Sequence, residues 1–266
     1  MSWTLKYLDA SGTEQTVTFA QLAALEGGQV ISDGFKLQFC SHKASTLSLN
    51  LPGVPPNVAP AIPFESRIQL IDSNGVIRFQ GLRTDRHGTA DPHRTNSSYR
   101  FEDEWYFLDH CAFQQSWKRV SSDGSSSVVP FQHVVLYQPN PGQTYTPAPA
   151  NGVISTGQQL VDILSWAISQ GSNLQIGQID PAIYQAWYPI QNVKCGDAIK
   201  HCLRLHPDCF TEIDYGTTPP TFHVRKRINL IAVTLPYGGK DAQGRMHVNS
   251  EVQPRPELIP KRVALF

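Results

Sequence analysis

The chain has 266 residues, and its 22 Lys plus Arg are matched by 22 Asp plus Glu, so the formal net charge is zero. That balance excludes a domain that holds nucleic acid through bulk charge, and 40% hydrophobic residues exclude wholesale disorder. The length favours two domains, and a charged fraction of only 17% suits a protein that lives inside an assembly.

Trp3, Thr4, Lys6 and Asp9 follow Met1 too closely for a signal-peptide core. The most apolar stretch, residues 160–168, falls far short of the roughly 20 residues a spanning helix needs, so no membrane insertion is expected. Synthesis and retention in a cytoplasm follow. Five cysteines without an export signal fit reduced thiols better than a disulfide framework.

Residues 1–120 read as β. Short β-prone runs at 3–8 and 16–19 flank the turn-like Ala10-Ser11-Gly12. Residues 21–26 suggest a short helix stopped by Gly27-Gly28. Residues 35–39 and 46–51 alternate apolar and polar with period 2, as half-buried strands do. Residues 67–72 and 76–81 do the same around Ser73-Asn74-Gly75, which predicts a hairpin with Asn74-Gly75 at the turn. Residues 99–102 and 104–108 continue the strand pattern, and the close spacing suggests a barrel or sandwich.

Residues 121–152 change character. A polar tract at 121–127 and a Pro-, Gly- and Ala-rich stretch at 139–152 flank a strand-like run at 131–137, and together they read as a connecting arm. Ser155 or Thr156 then caps a helix with Leu160, Ile163, Leu164, Ala167 and Ile168 on one stripe, and Gly171 stops it. A second helix from about Gly196 carries a stripe of Cys195, Ala198, Ile199, Cys202, Leu203 and His206, ended by Pro207. Strands at 209–215 and 221–225 around a Gly216–Pro220 turn complete a small α/β domain over 153–253. Residues 254–266 run extended and finish on an apolar Val263-Ala264-Leu265-Phe266, as if a strand partner or further chain were to follow.

Candidate chemistry is sparse. Cys195, Cys202 and Cys209, with His201 and His206 nearby, invite a zinc reading, but six residues separate successive cysteines where structural sites use two to four. Two of them share a helix face about 10 Å apart at 1.5 Å per residue, too far for a disulfide. Neither a metal nor a mutual disulfide is expected of the three, and core packing is the expectation. No G-x-S-x-G, H-E-x-x-H or P-loop pattern occurs. His42, His87, His93, His110 and His133 scatter over loops and strand ends. Glu102-Asp103-Glu104 would put two carboxylates on one strand face, as a glycosidase pair requires, yet a solvated turn between strands is the plainer expectation. Arg225-Lys226-Arg227 reads as edge protection or a contact to an acidic neighbour.

Residues 39–49, 63–70 and 76–81 together resemble the first barrel of phage tail-hub proteins, a family that includes the late-control hubs of contractile tails. There an S-x-x-x-S-T-like strand precedes a P-F-x-x-x-V-x-I strand, a turn and a G-x-V-x-F-x-G strand. Residues 156–164 are similar to the first helix of that family's second domain. Cys195-Gly196-Asp197-Ala198-Ile199-Lys200 onward to Asp214-Tyr215 resembles its repeated helix and strand pair. Residues 256–265 resemble the approach to a second barrel, past which family members continue.

The resemblance implies an α+β, β-rich fold: a tail-tube-like β-barrel over 1–120, an arm over 121–152, the α/β domain over 153–253 and the start of a second barrel at 254–266. It implies a structural baseplate or tail hub of a phage or phage-like particle, made in the host bacterial cytoplasm, located in the virion tail and linking tail tube to central spike. The implied partners are other copies of the chain, as a homotrimer, together with tube and spike proteins. It carries no catalytic, cofactor-binding or metal-binding residues, so no enzyme and no cofactor is expected. Two alternatives belong to other classes. One is a tail-associated hydrolase, which would need a matched acid and base. The other is a carbohydrate- or receptor-binding β-protein using Trp105, Trp117, Trp187, Tyr184 and Tyr188 as exposed stacking faces.

Overall fold

The computed structural model describes residues 3–30, 34–55, 58–85 and 96–226. The chain divides into one unit of residues 1–228 and a second of residues 229–266, and the second lies outside the described residues. The apolar C-terminal run and the expected start of a second barrel at 254–266 fall there.

Strands β1 (Thr4–Leu8) and β2 (Glu14–Thr18) pair antiparallel across a turn in which the Asp9 carboxylate accepts from the backbone N–H of Ser11 and Thr13. Thr18 then caps helix α1 (Phe19–Leu25). Its hydroxyl accepts from the Gln21 N–H while the Gln21 side chain accepts from the Thr18 N–H, so two otherwise orphaned donors are satisfied reciprocally. Five strands follow: β3 (Phe35–Gln38), β4 (Thr46–Pro52), β5 (Arg67–Ile71), β6 (Ile77–Arg83) and β7 (Asn96–Glu102).

These seven strands form one antiparallel sheet in the order β2-β1-β5-β6-β7-β4-β3. Strands β6 and β7 meet only at Leu82↔Glu102 and Arg83↔Phe101, so the sheet turns a corner there. Gly81 permits the close approach: a Cβ at this position would sit 2.6 Å from both the Glu102 carbonyl oxygen and the Phe79 ring. The two leaves fold onto each other with alternate residues inward. Leu5, Tyr7, Ile68, Leu70 and Phe79 from one leaf share a core with Leu47, Leu49, Leu51, Tyr99 and Phe101 from the other.

The expected barrel is not closed. Edge strands β2 and β3 are not hydrogen-bonded to one another, and side chains span the gap: Phe35 packs against Phe19 and Trp3 with ring centroids 5.2 and 5.5 Å apart. Closure needs a consistent hydrogen-bond stagger at every junction, and here the chain leaves β2 directly into the capped helix α1. The hairpin expected at 67–81 is present as β5 and β6. Asn74 and Gly75 lie in its loop, but that loop is one residue longer than a two-residue turn. Asp72 N–H bonds to the Val76 carbonyl, Gly75 takes φ +78°, and a bulge follows.

The expected strand at 104–108 is helix α2 (Trp105–His110). Its aromatic residues favour strands, yet Trp105 and Leu108, spaced i, i+3, are the pair that becomes buried, which is a helical spacing. Beyond it, β8 (Gln115–Val120) and β9 (Ser126–Phe131) form a hairpin with Asp123 and Gly124 at the tip. Next come β10 (His133–Leu136), α3 (Thr156–Ser169), β11 (Gln175–Ile179), β12 (Tyr188–Gln191), α4 (Cys195–Leu203), β13 (Cys209–Asp214) and β14 (Thr221–Lys226). A second capping box, Ser155 with Gln158, starts α3, and Gly171 at φ +106° releases the chain after it. Strand β10 pairs with β12, and β14 lies between β13, antiparallel, and β11, parallel. The stripes of α3 and α4 pack with Trp105, Phe113, Val134, Leu136, Phe222 and Val224 into a second core.

Tyr215, just after β13, belongs to the first core although it sits in the second half of the chain. Gln80 of β6 donates from Nε2 to the carbonyls of Tyr215 (2.8 Å) and Thr217 (2.6 Å), and Ser41 and Thr211 bond across the same seam. A polar seam thus joins the two cores.

Candidate functional site

The acidic cluster is buried, where a solvated turn between strands was expected. Asp103 is 2% and Glu104 5% exposed. Glu102 ends β7 and Glu104 immediately precedes α2, so no strand face carries the two together. Asp103 accepts from the Trp105 N–H at 3.0 Å and from the Tyr215 hydroxyl at 2.8 Å, and burial pushes its carboxyl up to about 6. Glu104 pairs with the Arg67 guanidinium and accepts from the Asn173 N–H at 3.1 Å. Glu102 pairs with Arg100 at 2.6 Å. Each carboxylate is committed to a structural partner, and Asp103 and Glu104 brace the seam.

All five cysteines are free thiols. Cys195 and Cys202 lie on the buried stripe of α4, where they pack as small hydrophobes, and the Cys195 thiol also meets that of Cys111. Burial raises the pKa of both, the reverse of what a reactive thiolate needs. Cys209 opens β13 beside His206 and Asp208 in the turn from α4. His201, the other histidine of that region, instead stacks on Tyr188 with ring centroids 4.3 Å apart. His110 Nδ1 donates to the Tyr106 carbonyl within its own helix at 2.7 Å. His87, His93 and Arg227 lie outside the described residues. Arg225 does contact an acidic neighbour, Glu212 of β13, at 3.4 Å.

The most exposed apolar surface belongs to the β8–β9 hairpin. Gln115 anchors its root by imitating a strand partner: its side chain accepts from Val135 N–H at 2.7 Å and donates to the Val135 and Gln138 carbonyls at 3.0 Å. Trp117, half-buried, donates to the His133 carbonyl. Beyond that root, the hairpin pairs with no further strand among the described residues. Val120, Val128 and Phe131 are 65%, 53% and 60% exposed. A lone two-stranded ribbon is marginal in water, and this one carries exposed apolar side chains on strands that pair only with each other among the described residues. The polar tract at 121–127, expected as part of a connecting arm, is the turn of this hairpin and the first two residues of β9; its Ser, Gly and Asp residues carry no alternation that would mark a strand.

A second exposed group is Ile183, Tyr184, Trp187 and Tyr188 before and at the start of β12. Of the five aromatic residues considered as stacking faces, Trp105 is instead in the core, stacked on Phe222. The Trp187 indole donates to the Gly152 carbonyl at 3.2 Å, which fixes the ring.

No protein-family model matches the chain, and no curated protein matches it. Several solved structures are similar to it, three of which follow. The tail protein from Neisseria meningitidis MC58 is 10% identical with a TM-score of 0.45, over 92% of this chain and 53% of that one. Prophage tail protein gp18 from Listeria monocytogenes EGD-e is 9% identical with a TM-score of 0.44, over 92% and 65%. The 43 kDa tail protein of prophage MuSo2 from Shewanella oneidensis is 10% identical with a TM-score of 0.45, over 90% and 57%. The chain spans less than two thirds of the length of each.

Proposed function

We propose that the chain is a structural component of a phage or phage-like tail, and within it a hub that assembles from copies of itself and links tail tube to spike. The observation that carries this reading is the β8–β9 arm, rooted by Gln115 and exposing Val120, Val128 and Phe131 to whatever packs beside it. A neighbouring copy supplies a matching surface: strands β2 and β3 leave open edges on the seven-stranded sheet, which an arm or a second sheet extends by backbone pairing. The zero net charge leaves little long-range repulsion between copies. The residue-level resemblance to tail-hub proteins supplies the trimer and the place in the virion tail.

The hydrolase alternative needs a matched acid and base, and the carboxylates at 102–104 are engaged in the seam and its ion pairs. Light scattering on the full chain tests the proposal, with the expected mass a small multiple of the monomer. Replacing Val128 and Phe131 with Ser should return it to one copy. A wild-type chain that stays monomeric at high concentration, or an assembly indifferent to both replacements, would sink it. Cross-linking on intact tails tests the location.

A further inference from the structure

The turn between α4 and β13 gathers three different metal-binding groups within four residues, His206-Pro207-Asp208-Cys209. The backbone closes tightly: His206 N–H bonds to the Leu203 carbonyl at 2.9 Å, and Cys209 N–H to the His206 carbonyl at 3.0 Å. A ring nitrogen of His206, a carboxylate oxygen of Asp208 and the Cys209 sulfur all lie within 4.8 Å of one another. The Cys209 thiol points at Asp208 Oδ1, 3.8 Å away. His206 and Cys209 are 5% and 3% exposed, while Asp208 faces solvent.

One further feature of this turn calls for a ligand. His206 Nε2 is buried and makes no hydrogen bond. An unsatisfied buried polar atom is costly, and such atoms are rare in folded proteins unless something else meets them.

We propose that His206, Asp208 and Cys209 bind a divalent zinc-like cation, with water in the fourth position. Imidazole, thiolate and carboxylate are zinc's own ligand set, and a thiolate disfavours magnesium and calcium. On binding, the Cys209 S–H bond breaks, its proton leaves to solvent, and the sulfur lone pair forms the metal–sulfur bond without any change of oxidation state. The two negative ligands balance the divalent ion, so the buried site carries no net charge. Lys226 opposes Cys209 in the β13–β14 register and adds an unfavourable positive charge, while Asp180, which accepts from the Lys226 N–H, is near enough for its negative charge to offset it. Tetrahedral zinc with bonds of about 2.0–2.3 Å holds its ligand atoms about 3.3–3.8 Å apart, so the three groups must close by about 1 Å. Exposed Asp208 has the freedom to do so. The bound ion would tie the end of α4 to the start of β13. Cys195 and Cys202 remain core residues and take no part.

The test uses the untagged, reduced full chain, equilibrated with zinc and desalted before elemental analysis, and in parallel titrated with cobalt. One metal per chain and a thiolate-to-cobalt charge-transfer band are expected. Cys209→Ser should abolish the band and the retained zinc while far-ultraviolet circular dichroism stays native. Asp208→Asn, at an exposed position that folding tolerates, should weaken zinc binding by about tenfold or more. A wild-type chain that keeps no zinc overturns the proposal. So does a Cys209→Ser chain with full stoichiometry, or an Asp208→Asn chain with undiminished affinity.

Discussion

The Tyr215 hydroxyl donates to Asp103 Oδ2 at 2.8 Å, across a sequence separation of 112 residues. Tyr215 packs against Phe79 in the first core, and Asp103 sits beside Trp105 of the second, so this one bond spans the seam between them. Tyr215→Phe keeps the ring and removes the donor. The expected loss is about 1–3 kcal/mol in urea denaturation, because Asp103 is left with an unmet acceptor away from water. A midpoint equal to that of wild type would mean that the seam rests on packing alone.

Asp162, buried under Asn140, Gln143 and Tyr145, has its carboxyl pushed up by burial to about 6 from an ordinary value of 3.8. A carboxyl raised on folding favours the protonated state, so its contribution is full below about 4 and is lost as pH rises through 6. His206, His201 and His223 are shifted down by partial or full desolvation and act oppositely in the same range, so the informative quantity is a difference between variants. Asp162→Asn should gain on wild type by on the order of 2 kcal/mol between pH 4 and pH 7. Parallel stability curves for the two proteins would contradict this.

Gly81→Ala should destabilise by about 1–3 kcal/mol, since the new methyl meets the Glu102 carbonyl and the Phe79 ring at the corner of the sheet. The backbone is the obstacle and cannot rotate aside. Thermal unfolding would register the loss, and an unchanged melting temperature would show that the corner opens freely.

Val128→Ser and Phe131→Ser lie at exposed arm positions and should each alter the stability of the monomer by less than about 0.5 kcal/mol. Their effect belongs to association, read by light scattering. A large loss of monomer stability would mean that the arm packs on its own chain.

The local patterns were readable. The hairpin of β5 and β6 showed itself through alternation around Asn74-Gly75, and α3 through its cap at Ser155 and its stripe from Leu160 to Ala167. What failed depended on distant partners. Glu104 to Leu108 are aromatic-rich and read as a strand, but Trp105 and Leu108 have a core to fill only once α3, α4 and β14 are in place. Asp103 has nothing beside it in the sequence to indicate burial, because its partner is Tyr215. Barrel closure is likewise a property of two edges meeting, which no single strand encodes. At His206 to Cys209 the cysteine spacing gives no sign that three different residue types come together within one turn.

The corner between β6 and β7 has a mechanical consequence. Two residue pairs hold the leaves together there, whereas the strand junctions within the leaves have four to seven. A load that pulls the leaves apart would therefore part this line first and leave each leaf whole. Leu82↔Glu102 is one of its two pairs, and Asp103 and Glu104 follow directly in the chain, with their bonds to Tyr215 and Asn173. The crease and the second core are thus coupled through two consecutive residues.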